Sequence, residues 1–143
     1  MRAAVVCLIN KARAAHGLPR LRSSRKLNHA AQNWTEAMLA SGTFSEGDPG
    51  ARVSAVGFNW STVGENIATG FQTPRQAVSA WMASQGHCEN ILDPVYTYVG
   101  TGVDPRPVRG FASGSATWTQ DFGLPMGGRG PSSNWGPASH CPY

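Results

Sequence analysis

A carboxylate and an imidazole stand beside glycines in two short segments, Gly64-Glu65-Asn66-Ile67-Ala68 and Gly86-His87-Cys88-Glu89-Asn90-Ile91-Leu92, about twenty residues apart. Two titratable groups placed this way can meet in one cleft, where they can bind a metal or share a proton. Glu46, in Phe44-Ser45-Glu46-Gly47, offers a second carboxylate. If it approaches Glu65, at least one of the two pKa values rises, and His87 beside them favours its charged form. Glu65, His87 and Glu46 are therefore the candidate acid–base residues and also the candidate metal ligands. One imidazole and two carboxylates make a poor set for tight zinc binding. They tolerate Mn²⁺ or Ca²⁺ better, and nothing in the sequence makes any cofactor a requirement. A simpler alternative is that Glu65 and His87 hydrogen-bond each other and pin two loops together. Ser45 and Ser84 lie near these residues only in sequence, and no G-x-S-x-G elbow is present to supply a nucleophile.

Around this set the aromatic residues Phe58, Trp60 and Phe71 flank Glu65. They would either line the rim of a cleft suited to sugars or lipids, or anchor loops. The candidate ligand cleft is accordingly Glu65, His87, Ser45, Asn66 and Phe71.

The elements that must position these groups are readable from periodicity. Residues 4–16 form a helix with Val6, Ile9, Ala12 and Arg13 at helical spacing, ended by Gly17-Leu18-Pro19. Asn10 and Arg13, one turn apart, are expected to contact a neighbouring loop. A second helix follows Ser23 or Ser24 as N-cap. It carries the apolar stripe Leu27, Ala30, Ala31, Trp34 and Met38 and stops at Ser41-Gly42. Residues 51–56 form a short helical turn. Thr73 caps a third helix with Pro74 at its first position and Ala77, Val78, Trp81 and Met82 on its core face. A short helix then spans His87–Leu92. Tyr96–Val103 and Phe111–Phe122 read as antiparallel strands, and Thr62–Ile67 as a further one. Trp34, Trp81 and Trp118 are expected in the core. Helices first and strands last indicate an α+β layered fold, with helices covering the sheet.

A chain of 143 residues, 41% of them apolar, is the size of one domain with a real core. Residues 1–126 are expected to form it, followed by a Gly/Pro-rich tail at 127–143 held only through Trp135 and Cys141. The net charge of +4 is spread along the chain without a Lys/Arg run, which argues against nucleic acid as a partner. No apolar stretch is long enough for a membrane span. The run Ala3–Ile9 is too short for a signal-peptide core and continues into the first helix. The three cysteines show no CxxC spacing.

Taken in order, Asn10-Lys11-Ala12-Arg13, Leu21, the stripe ending at Met38, Phe44-Ser45, Gly64-Glu65-Asn66-Ile67-Ala68, Ala77-Val78-Ser79-Ala80-Trp81-Met82, the His87 segment and Trp118-Thr119-Gln120-Asp121-Phe122-Gly123 make a specific pattern. Over about residues 5–123 the chain resembles the CAP superfamily (cysteine-rich secretory proteins, antigen 5 and plant pathogenesis-related class 1 proteins), and is most similar to its bacterial extracellular branch. The resemblance implies a three-layer α-β-α sandwich with a central, mainly antiparallel sheet and a surface cleft. It also implies secretion with the signal already removed, and a cell-envelope lipid, glycan or protein as ligand. We expect a monomer. Family members often carry two His and two acidic residues in the cleft. Glu65 and His87 match two of the four; Glu46 stands where the first His would be, and Ser84 and Gln85 stand where the second acid would be. Similar bacterial sequences also imply a Cys7–Cys88 disulfide, which would contribute about 3–5 kcal/mol by closing a long loop. Cys141 is the rival partner, and three reduced thiols the remaining alternative.

Overall fold

The computed structural model describes residues 1–128; Trp135, His140 and Cys141 lie outside the described residues. The elements are α1 (Arg2–Ala15), β1 (Arg22–Ser23), α2 (Arg25–Ser41), α3 (Pro49–Ala55), β2 (Trp60–Phe71), α4 (Pro74–Met82), α5 (Gln85–Leu92), β3 (Tyr98–Asp104) and β4 (Ala116–Pro125). One sheet runs in the order β1-β3-β4-β2. The β2–β4 and β3–β4 pairs are antiparallel, and only the two-residue β1 pairs parallel, with β3. Helices α1, α4 and α5 cover one face through Val5, Ile9, Trp81 and Ile91, packed on Trp118 and Phe122. Helix α2 covers the other, through Leu27 over Phe58 and Met38 over Ile67, with α3 beside it. The α+β class and the α-β-α sandwich with a mainly antiparallel sheet are thus what the chain adopts.

Local chemistry explains the helix boundaries. Ser24 Oγ accepts from the Leu27 N–H, and Gly42 ends α2 in the left-handed conformation at φ 67°. At α4, Thr73 and Gln76 form a reciprocal capping box with Pro74 in the first turn. Helix α2 lies unusually close to β3. A Cβ at Gly100 would sit 2.0 Å from the Leu27 backbone, and one at Gly102 would sit 2.4 Å from that of Ala31. Only glycine permits that approach.

Asn10 and Arg13 make the loop contacts expected of them. Asn10 Oδ1 accepts from Leu21 N at 2.8 Å while its Nδ2 donates to Leu21 O. Arg13, buried, donates to the carbonyls of Pro19, Ile91 and Asp93. Burial pushes its pKa down to about 10.

Several expectations need correction. Strand β4 begins at Ala116 rather than Phe111, because Gly110 and Gly114 take positive φ and turn the intervening segment away from the sheet. Tyr96 precedes β3 and instead stacks on Phe122 with ring centroids 5.3 Å apart. Trp34 is half-buried, not core: its indole donates to the Ser45 carbonyl at 2.9 Å. The Cys7–Cys88 disulfide is not formed, because Cys7 is a free, exposed thiol. Helical spacing explains this. Val5, Ile9 and Arg13 are the buried positions of α1, and Cys7, two residues past Val5, falls about 200° around the helix from it. Cys88 is fully buried.

Candidate functional site

β2 is an edge strand, and alternation along it decides where the candidate residues point. Odd positions face α2 and α3: Ile67 packs with Met38, and Glu65 meets Arg52. Even positions face α4 and α5: Ala68 joins the core there, and Asn66 Nδ2 donates to the His87 carbonyl at 3.1 Å. Glu65 and His87 therefore approach the same cleft from opposite sides of one strand. The alternative in which they hydrogen-bond each other is not met: Glu65 pairs with Arg52 and His87 with Ser84.

Glu65 is 5% exposed and sits directly across from Asp121 of β4, which is fully buried. Burial raises the pKa of both carboxyl groups, Asp121 well above its ordinary value, and Glu65 Oε1 and both Asp121 oxygens are buried without a hydrogen-bond partner among the described residues. Each raises the burden on the other, since two adjacent carboxylates cannot both ionise cheaply in a site sheltered from water. One proton shared between them would give these buried oxygens a partner. Arg52 of α3 supplies the compensating positive charge. Its guanidinium is ion-paired with Glu65, donates to the Glu46 carbonyl at 2.7 Å, and stacks over Trp34 at 3.9 Å from the ring centroid. Asp48 caps α3 by accepting from Ala51 N at 3.1 Å, which fixes the turn that aims Arg52 inward.

On the far wall, His87 Nδ1 lies 3.1 Å from Ser84 Oγ. Ser84 is the N-cap of α5, yet its side chain makes no cap hydrogen bond. Burial lowers the His87 pKa, and the charge of Glu46 opposes that shift. At physiological pH His87 is therefore mainly neutral. Asn90 Nδ2 ties the walls together by donating to Glu65 O and Asn66 Oδ1, both at 3.0 Å. Tyr96 closes the floor. A Cβ at Gly64 would lie 2.4 Å from its hydroxyl, so the glycine of the Gly-Glu-Asn run is a clearance for that ring. Burial and nearby Asp93 push the Tyr96 pKa up to about 12. The cleft that results is about 350 Å³, with Glu46, Glu65, Ser84, His87, Asn90 and Tyr96 on its walls.

The structure thus brings Glu46, Glu65 and His87 to one cleft and leaves the other candidates elsewhere. Asn66 is fully buried beneath it, hydrogen-bonded to Gln120 as well as to the His87 carbonyl. Ser45 contributes its carbonyl to Trp34. Phe71 lies at the other end of β2, in a separate groove. Phe58 is core, and Trp60 anchors α3 by donating to Ser54 Oγ at 2.9 Å.

The proposed metal set does not fit. Among the described residues no three His, Cys, Asp or Glu side chains are grouped to hold a metal ion. One Glu65 oxygen is already taken by a guanidinium, and the residue is 5% exposed. The most important residues missed from the sequence are Arg52 and Asp121. Asp121 carried a signal, since a lone carboxylate inside an apolar strand demands a partner. Arg52 carried none beyond its place after Asp48-Pro49.

Comparison with known proteins agrees with this geometry at the level of fold. The model of the CAP family, described as the cysteine-rich secretory protein family, matches residues 6–122. The chain is similar to the uncharacterized protein YkwD of Bacillus subtilis, with 34% identity over 82% of this chain and 45% of that protein. It is also similar to the uncharacterized membrane protein YlbC of the same species, with 30% identity over 71% of this chain and 31% of that one. It therefore spans less than half the length of these curated relatives. Among solved structures, an extracellular SCP-domain protein of Bacillus anthracis superposes with TM-score 0.74 at 26% identity, covering 85% of this chain and 39% of that one. An outer surface protein of Borrelia burgdorferi gives the same TM-score at 18% identity, covering 85% and 90%.

Proposed function

The chain belongs to the cysteine-rich secretory protein (CAP) family, and from that premise we propose that it is an extracellular module that binds a polar cell-envelope ligand through the Glu46–His87 cleft. One observation carries this reading: the cleft's charges are divided into an inner, buried layer anchored by the Arg52–Glu65 ion pair and an outer one at the mouth. Arg52 compensates Glu65 from within, and a proton held between Glu65 and Asp121 would lower the remaining charge. Glu46 is exposed, and His87, Ser84 and Asn90 are half-buried at the mouth. Such an arrangement favours recognition, because Asn90 and the inner pair hold the walls in place while exposed Glu46 and the His87–Ser84 pair at the mouth can exchange water for ligand. The extracellular setting is supported by the family and by the extracellular Bacillus anthracis relative. Among the described residues no helix is long and apolar enough to cross a membrane.

The test is saturable binding of the purified chain to isolated bacterial envelope fragments, with His87→Ala and Glu46→Ala alongside. We expect binding that weakens at least about tenfold in one of the two variants, the loss expected when a partner of a charged hydrogen bond is removed. Unchanged binding in both would sink the reading.

A second reading has one observation in its favour, the 3.1 Å approach of Ser84 Oγ to a half-buried, neutral His87. A nucleophile with its base in hydrogen-bond reach is the arrangement of a hydrolase. Turnover of an ester, peptide or glycan panel that disappears in both Ser84→Ala and His87→Ala would replace the binding module with an enzyme.

A further inference from the structure

A second concavity, about 660 Å³, lies at the other end of β2. Its lining differs in kind from that of the cleft: it includes amides, hydroxyls and one aromatic ring, and no charged side chain. Phe71 is half-buried on one wall, with its carbonyl held by Trp118 Nε1 at 3.0 Å. Gly70 beside it is at φ 93° where the β2–β4 register shifts, a conformation strained for any other residue. A Cβ at Gly70 would contact the ring of Phe111 at 3.6 Å. Phe111 is 44% exposed and packs edge-on against Phe44, itself 40% exposed, at 5.7 Å between centroids. An aromatic surface therefore continues from Phe71 past Gly70 to Phe111 and Phe44.

The polar side of the groove is built in advance. Gln76 Oε1 accepts from the backbone N–H groups of Gln72 and Thr73 at 2.9 and 3.2 Å. This fixes the amide plane and leaves Nε2 as the donor. The opposite loop is closed on itself: Phe111 N donates to Val108 O at 3.1 Å, and Ser115 Oγ donates to Ala112 O. Gln72 and Ser113 complete the wall. A groove with the fixed Gln76 amide on one side, the half-buried Phe71 ring on the other and exposed Phe111 just beyond it offers partners for a molecule that is uncharged, rich in hydroxyls, and apolar on its ring faces. An anionic or cationic polymer would lose its hydration there without meeting an opposite charge.

We infer that this groove is a second binding site, separate from the Glu46–His87 cleft, and that it takes an uncharged saccharide chain. The sugar ring faces pack on Phe71 and Phe111, and the hydroxyl or acetamido groups bond Gln72, Gln76 and Ser113. Titrating chitohexaose into the ¹⁵N-labelled full chain tests this directly. Saturable shifts confined to residues 70–76 and 111–115 are expected. Phe111→Ala should raise the dissociation constant about five- to tenfold, the value of one aromatic contact. Gln72→Ala, an exposed side chain whose loss leaves the fold intact, should raise it about threefold and decides the matter if Phe111→Ala fails to fold. The inference is overturned by no saturable shift, by shifts that map to Glu46 and His87, or by equal affinity in both variants. It is also overturned if polygalacturonate or phosphatidylcholine vesicles saturate this surface and chitohexaose does not.

Discussion

The cleft lies at the middle of the edge strand β2 and the groove at its C-terminal end, roughly 20 Å apart at the rise of an extended chain. They obtain their polarity in opposite ways. The cleft rests on buried charge: Asp121 is fully buried and Glu65 nearly so, with Arg52 set between the sheet and α3 to compensate them. The groove rests on neutral amides and hydroxyls at the surface, with exposed phenylalanines beside them. A buried charge network shapes a site rigidly, but the fold then depends on it. A neutral exposed surface contributes little to the fold and can vary without destabilising it. The two regions should therefore respond very differently to mutation, pH and salt.

The largest difference should come from Arg52→Ala. It strips the compensating charge from a dyad sealed against water, and such a loss costs about 3–5 kcal/mol. Urea denaturation at pH 7 should show that drop, while Gln72→Ala in the groove stays within about 0.5 kcal/mol of the parent. Comparable losses in the two variants would erase the contrast.

A smaller effect of opposite sign is expected from Asp121→Asn. The folded pKa values of Glu65 and Asp121 are raised above their unfolded values of 4.5 and 3.8. A raised acid contributes stability that is complete below its unfolded pKa and is lost as pH rises through the folded one. The dyad therefore favours the fold in acid and weighs against it at neutral pH. Asparagine keeps the shape, removes one ionisable group and donates to Glu65. Stability at pH 7 should rise by about 1 kcal/mol, and the decline between acid and neutral pH should flatten. If Asp121→Asn were as damaging as Arg52→Ala, the Asp121 charge itself would be holding Arg52, and the shared proton would be the wrong description.

This asymmetry also explains what could be read from the sequence. The layers were legible because each helix and strand carries its own period. Leu27, Ala30, Ala31 and Met38 mark one face of α2, and Thr73-Pro74 marks the start of α4. Strand β1 was not legible, because two residues paired with β3 have no period to show. At the site, Glu65, His87 and Glu46 stood out as titratable groups in glycine-rich segments, and the fold does bring them to one cleft. Their bonding did not stand out, because it depends on strand parity and on partners far away in sequence. Glu65 binds Arg52 and Asp121, not His87, since odd and even residues of β2 face different layers. Asp121 could have been recognised as a buried acid needing a partner, but only the register names Glu65 as that partner. The groove was invisible except for Phe71, because its hydrogen-bonding residues are common surface types with no spacing rule. Phe71, expected in the cleft, lines the groove instead.

The mildest and most diagnostic contrast is in titration near neutral pH. Among the groups lining either concavity, His87 is the one whose ordinary pKa falls in this range, and burial lowers it from 6.5 while Glu46 pulls it back. A depressed histidine contributes stability above its unfolded pKa and loses it as pH falls through the folded value. By NMR the His87 ring should titrate with a midpoint below 6.5, and Glu46→Gln should move that midpoint lower still by removing the opposing charge. Added salt should shift it in the same direction, but by less, since Glu46 is exposed and its field is screened within about 10 Å at 0.1 M. Over the same range of pH and salt, saccharide binding in the groove should stay flat, because none of its lining groups titrates or carries charge. A midpoint that does not move in Glu46→Gln would mean that the two cleft walls are farther apart in solution than their electrostatic coupling requires. The outer layer of charge assigned to ligand recognition would then lose its geometry, while the groove would remain untouched.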